Sequence, residues 1–131
     1  MYKFTQIEYK EVEQYDNDYC KRAQDPDVPE TAVFYGIYKD EVLVSYFAVT
    51  EAPDDSLYIR RGYVLPAYRA DSEVRKVSLS LLETAAQQSG YRHIEFESTR
   101  NPWAYTKMFK SLGYTPRYIG FRKTLEVKSH G

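Results

Sequence analysis

The amino-acid sequence predicts a single α/β domain over residues 1–131, built as a mixed central sheet flanked by helices. Three observations predict it. Apolar residues recur at helical spacing over residues 71–89 and again from Asn101 to Leu112. Short segments rich in aromatic and β-branched residues separate these stretches and read as strands. The two kinds of segment follow one another in the order β-α-β-β-β-α-β-α-β, which sets helices against a mixed sheet.

Composition narrows the classes. A chain of 131 residues can bury a core without metal or disulfide help. Hydrophobic residues at 43% and charged residues at 28% describe a globular chain rather than a disordered one. A net charge of −1 supplies no global field for nucleic acid or anionic membranes, and no nucleic-acid motif is present. The single cysteine, Cys20, allows no internal disulfide and fits a reducing, cytoplasmic setting. No apolar run approaches membrane-spanning length, and Met1 to Thr5 lack the apolar core of a signal peptide.

Taken in order, residues 3–9 form a first strand anchored by Phe4 and Ile7. Val12, Tyr15, Tyr19 and Ala23 then recur at helical spacing over residues 10–24. Pro26 and Pro29 break either kind of element and mark a loop. The strands 32–38 and 41–49 read as a hairpin linked at Lys39-Asp40. A turn at 52–56 leads to a strand at 57–64, where Gly62 marks a bulge or a close backbone approach. Over 71–89, Val74, Val77, Leu81, Leu82 and Ala85 share one face, and Gly90 stops the helix. His93 to Ser98 alternates as a strand, with Ile94 and Phe96 on one face. Asn101 is a strong N-cap with Pro102 behind it, and Tyr105, Met108, Phe109 and Leu112 form an apolar stripe ended by Gly113. A last strand is expected around 117–125.

Two segments carry a resemblance to a known family. VLPAYR at 64–69 ends a strand and precedes a long amphipathic helix containing Leu81, Leu82 and Glu83. FKSLGY at 109–114 lies in the helix that opens at Asn101. With the hairpin at 34–49 before them, these segments resemble the cofactor-binding half of the GNAT N-acetyltransferase superfamily, of which the chain looks like a divergent member. The resemblance implies a GNAT-like α/β fold, acetyl-CoA as cofactor, and transfer of an acetyl group to a small amine or a protein amino group. It implies that Val64 and the turn Arg69, Ala70, Asp71 and Ser72 meet the cofactor. Backbone amides at a helix N-terminus suit a diphosphate, and Arg69 adds a charge-assisted contact. It places Asn101 and Phe109 beside the cofactor as well.

The sequence departs from the family pattern at two places. Glycines that usually follow the arginine are replaced by Ala70, Asp71, Ser72 and Glu73. Asp71 or Ser72 also reads as a simple helix cap, with Glu73 complementing the helix dipole. The family's acidic helix tyrosine is Phe109 here, which cannot donate a proton. Tyr105, one turn earlier on the same face, serves either as that catalytic acid or as core packing. The alternative to an enzyme is a catalytically inactive protein of the same shape, acting as a structural or protein-binding component, as inactive relatives do among viral and phage proteins.

The remaining signals are local. Glu51, Asp54 and Asp55 read as general-base candidates or as a solvated turn. Arg60, Arg61, Arg69, Arg75 and Lys76 form a basic stretch. His93 and His130 lack metal-ligand spacing. Fourteen tyrosines suit either half-buried strands or a contact surface for a homo-oligomer or protein partner.

Overall fold

Short segments of β-branched and aromatic residues build the sheet. The computed structural model describes residues 1–23, 30–97, 110–117 and 120–126. Within them lie strands β1 (Tyr2–Ile7), β2 (Val33–Lys39), β3 (Val42–Ala52), β4 (Ser56–Val64), β5 (His93–Glu97), β6 (Thr115–Arg117) and β7 (Gly120–Thr124). Two helices are described in full, α1 (Glu13–Ala23) and α2 (Ser72–Gln88). The strands hydrogen-bond in the order β1-β2-β3-β4-β5-β7-β6. β1 with β2, β2 with β3, and β7 with both β5 and β6 are antiparallel, whereas β4 and β5 are parallel. The crossover through α2 accounts for that parallel pair, since a strand–helix–strand connection returns the chain in the same direction.

Local chemistry explains the turns. β2 and β3 are joined through Asp40 and Glu41, with φ of 50° and 70°. Positive φ at both central residues matches the twist of a two-residue hairpin, and aspartate tolerates it better than most residues. Gly90, at φ 89°, follows the end of α2. Lys110 and Ser111 are helical, and Gly113 at φ 87° stands just past them as the expected left-handed stop. The strand expected at 117–125 is instead a pair, β6 and β7, in register at Thr115↔Arg122 and Arg117↔Gly120.

Contacts divide the chain into two units. The first holds Met1–Thr50 and Arg60–Leu82, the second Glu51–Ile59 and Glu83–Gly131. In the first unit, Ile7, Val12, Phe34, Tyr46, Ala48, Tyr63 and Leu65 form one buried cluster. Its rings pack in sequence: Tyr9 lies edge-on to Phe34, Phe34 stacks on Tyr46, and Tyr46 tilts against Tyr63. α2 buries Val74, Ser78, Leu79 and Leu82 here. The inward positions of β4 run at period two from Leu57 through Leu65, with no break at Gly62. A register shift does occur in the sheet, between Ile37 and Tyr38 of β2.

In the second unit, Ser56–Ile59 of β4 pair with His93–Phe96 of β5. The carbonyl of Asp55 accepts the Arg92 amide at 2.7 Å, and the carbonyl of Arg92 accepts the Leu125 amide at 2.6 Å. Lys123 Nζ donates to Glu83 Oε1 at 2.6 Å and to the Leu112 carbonyl at 2.8 Å. It thereby satisfies an acceptor at a helix end while pairing with α2. Arg122 and Glu95 form an ion pair between register partners on β7 and β5.

Candidate functional site

The strand-end turn between β4 and α2 is the best-defined candidate. Leu65 leaves β4 with its amide donated to the Val44 carbonyl at 2.9 Å. Pro66 then opens a 3-10 turn, Pro66–Tyr68, where its missing N–H costs nothing. The Tyr68 amide donates to the Leu65 carbonyl and the Asp71 amide to the Tyr68 carbonyl, at 2.9 and 3.0 Å. Ser72 begins α2, a helix of 17 residues. Asp71 Oδ1 accepts the Glu73 amide at 2.9 Å, so Asp71 is the cap. Glu73 in turn accepts the Tyr2 hydroxyl at 3.1 Å.

Arg69 is anchored on several sides. Its Nε donates to the Val64 carbonyl at 3.0 Å. Its guanidinium lies over the Tyr63 ring, 4.9 Å from the centroid. Its Nη2 stands 3.9 Å from Asp18 Oδ2 on α1, and that carboxylate also accepts the Tyr63 hydroxyl at 2.9 Å. The Arg69 carbonyl accepts Arg75 Nη2 at 3.3 Å.

One strand position inward, a second arginine meets a second aspartate. Arg61 Nε lies 3.0 Å from Asp16 Oδ1, with both side chains almost fully buried. The Tyr46 hydroxyl donates to Asp16 Oδ1 at 2.8 Å and the Tyr9 hydroxyl to Oδ2 at 3.2 Å. Burial, and then the hydrogen bond to Asp16, push the Tyr46 phenol far above the usual tyrosine range. α1 therefore reaches β4 and its following turn through two carboxylate–arginine pairs, with two tyrosine hydroxyls on Asp16 and one on Asp18.

The other residues singled out by sequence scatter. Glu51 accepts the Tyr91 hydroxyl at 2.7 Å. Asp54 and Asp55, at φ 66° and 54°, form the turn between β3 and β4. His93 Nδ1 is 3.1 Å from Thr124 Oγ1. The basic stretch is no single patch, because Arg61 points into the core while Arg60 and Lys76 are exposed. Tyr2, Tyr9, Tyr46, Tyr63, Tyr91 and Tyr114 each donate to a carboxylate. Asn101, Tyr105 and Phe109 lie outside the described residues. Among the described residues no cluster of metal-ligating side chains occurs, and no helix is long and apolar enough to cross a membrane.

The sequence predicts no role for Asp16 or Asp18, and it places Arg61 in a basic stretch rather than in a buried pair. The available signal was positional. Arg61 falls on the inward phase of an alternating strand, and Asp16 lies one turn from Val12 on the same helical face.

This architecture is that of the GNAT acetyltransferases. The ribosomal-protein-S18-alanine N-acetyltransferase of Escherichia coli is similar at a TM-score of 0.75 and 11% identity, covering 99% of this chain and 97% of that one. A GNAT-family acetyltransferase from Staphylococcus aureus aligns at 0.71 and 9% identity, covering 96% and 100%. An acetyltransferase from Bacillus subtilis, solved in complex with CoA, aligns at 0.73 and 11% identity, covering 96% and 100%. The sequence itself matches no protein-family model, and no curated protein is significantly similar to it. The chain thus has the GNAT fold, at 9–11% identity to these neighbours.

Proposed function

We propose that the protein is an acetyl-CoA-dependent N-acetyltransferase acting on a small amine or a protein amino group. The observation that carries this is the run of β4. Among the described residues its pairing with β5 runs from Ser56↔His93 to Ile59↔Phe96, and the strand itself continues to Val64 before turning through Pro66–Tyr68 into α2. In a GNAT fold this leaves the end of β4 and the start of α2 available to a thioester cofactor. The CoA complex of the Bacillus subtilis neighbour supports a ligand of that class.

Val64 and the turn Arg69–Ser72 are the cofactor residues on this reading, together with Asn101 and Phe109, which lie outside the described residues. The start of α2 favours an anion, and Arg69 stands within the same turn. Asp18 and Asp71 already stand against donors that a diphosphate would use here, so its contacts at this turn add little affinity. Acetyl-CoA supplies the activated acyl group, and the acceptor amine attacks its carbonyl. Tyr105 is the candidate acid for the departing thiolate. Calorimetric titration with acetyl-CoA and CoA, paired with CoA release across a panel of amines, tests the proposal. Saturable binding with amine-dependent CoA release is the expected result, and no binding at millimolar ligand overturns it.

A further inference from the structure

Two donors that a diphosphate would use are each engaged by a carboxylate of this chain. Asp18 stands 3.9 Å from Arg69 Nη2 and is held there by the Tyr63 hydroxyl at 2.9 Å. Asp71 takes the Glu73 amide at 2.9 Å. The Asp18 and Arg69 side chains are 42% and 35% exposed, so a ligand can reach the pair. The amides of Tyr68, Arg69 and Asp71 are also spent inside the turn, on the carbonyls of Leu65, Pro66 and Tyr68.

We propose that Asp18 and Asp71 are intramolecular competitors of the cofactor's diphosphate, so that this protein selects its thioester by the pantetheine arm and acyl group. The proposal rests on acetyl-CoA being the ligand and goes on to specify which part of it is recognised. Its physical basis is exchange. A diphosphate that docks at Arg69 competes with the Asp18 carboxylate for the guanidinium's charge and with Asp71 for the Glu73 amide, and it meets like charge from α1 and from the turn itself. The net gain from the diphosphate is therefore small. Arg69 itself stays in place because its Nε bond to Val64 and its stacking on Tyr63 do not depend on either aspartate.

Calorimetric titrations of CoA and of pantetheine into the parent, Asp18→Asn and Asp71→Asn test this. Asparagine still accepts the Tyr63 hydroxyl at 18 and still caps α2 at 71, so each variant removes charge more than structure. In the parent, CoA and pantetheine should bind within about tenfold of each other. Each variant should strengthen CoA by up to about tenfold, because one like charge beside the diphosphate is removed, and widen the CoA-to-pantetheine ratio accordingly. If Asp18→Asn fails to fold, the ratio in Asp71→Asn decides. A parent that binds CoA more than about a hundredfold tighter than pantetheine overturns the inference while leaving the acetyltransferase reading intact. So does an unchanged ratio in the variants. Silence of all three proteins toward both ligands overturns the inference together with the reading on which it rests.

Discussion

Arg61 on β4 and Asp16 on α1 form an ion pair sealed inside the protein, with Nε 3.0 Å from Oδ1. Two buried charges are tolerated only when they satisfy each other and their remaining hydrogen-bonding capacity. The hydroxyls of Tyr46 and Tyr9 supply the carboxylate's other partners. The consequence is an asymmetry between single and double substitutions. Asp16→Leu or Arg61→Met alone strands a buried charge and should cost about 3–5 kcal/mol, whereas the double variant should recover much of that loss. Urea denaturation of the four proteins measures the coupling. Additive losses would show that the two charges do not act as a pair.

Alkaline stability follows from the buried phenols. Burial, and then contact with Asp16, raise the folded-state pKa of Tyr46, and burial with Glu83 raises that of Tyr114. A raised phenol pKa means that the folded state holds its proton when the unfolded state releases it near pH 10. Stability from these groups is thus complete below about pH 10 and falls as pH rises above it, by about 1.4 kcal/mol per pH unit for each tyrosine. Tyr114→Phe should flatten this alkaline limb by one tyrosine's share. Chemical denaturation between pH 8 and 11, as an order-of-magnitude window around the tyrosine pKa, measures it.

A serine pair links β3 to α2. Ser45 Oγ and Ser78 Oγ lie 2.6 Å apart, both buried. Ser78→Ala should cost about 1–3 kcal/mol, because it leaves the Ser45 hydroxyl without this partner. Adding Ser45→Ala should cost little further. Thermal melts of the single and double variants distinguish this from simple loss of packing, in which both substitutions would add.

Ser78 also shows where sequence stops being legible. Helical periodicity predicts an α2 face of Val74, Val77, Leu81, Leu82 and Ala85. The structure buries Val74, Ser78, Leu79, Leu82 and Ala86 instead, leaving Val77, Leu81 and Ala85 partly exposed. A serine scores as polar until its partner on another element is known, so the buried stripe appears rotated. Asp16 and Arg61 were hidden for the same reason, since a long-range pair has no local periodicity. The succession of elements along the chain as far as β5, the β2–β3 hairpin and the glycine stops were legible because each depends on a few adjacent residues. At the candidate site the strand-end turn and the capping alternative for Asp71 could be read locally. Asp18 could not, because its partner Arg69 lies far along the chain.

Arg69 permits a test that separates holding the turn from holding the ligand. Its guanidinium is already engaged by the Val64 carbonyl, the Tyr63 ring and Asp18. Arg69→Ala should therefore lower stability by about 1–2 kcal/mol through the lost hydrogen bond and ring contact. In the same variant CoA affinity should change by less than about threefold, because the parent's diphosphate gains little there. Arg69→Lys keeps a charge in the turn but loses the Nε bond and the flat stacking surface, so it should be destabilised in the same direction. In an Asp18→Asn background the guanidinium is released to the ligand, and Arg69→Ala should there abolish the added CoA affinity. Melting temperatures and CoA titrations on these variants give both readouts. A loss of CoA affinity beyond about tenfold for Arg69→Ala in the parent would mean that the diphosphate already takes the guanidinium from Asp18.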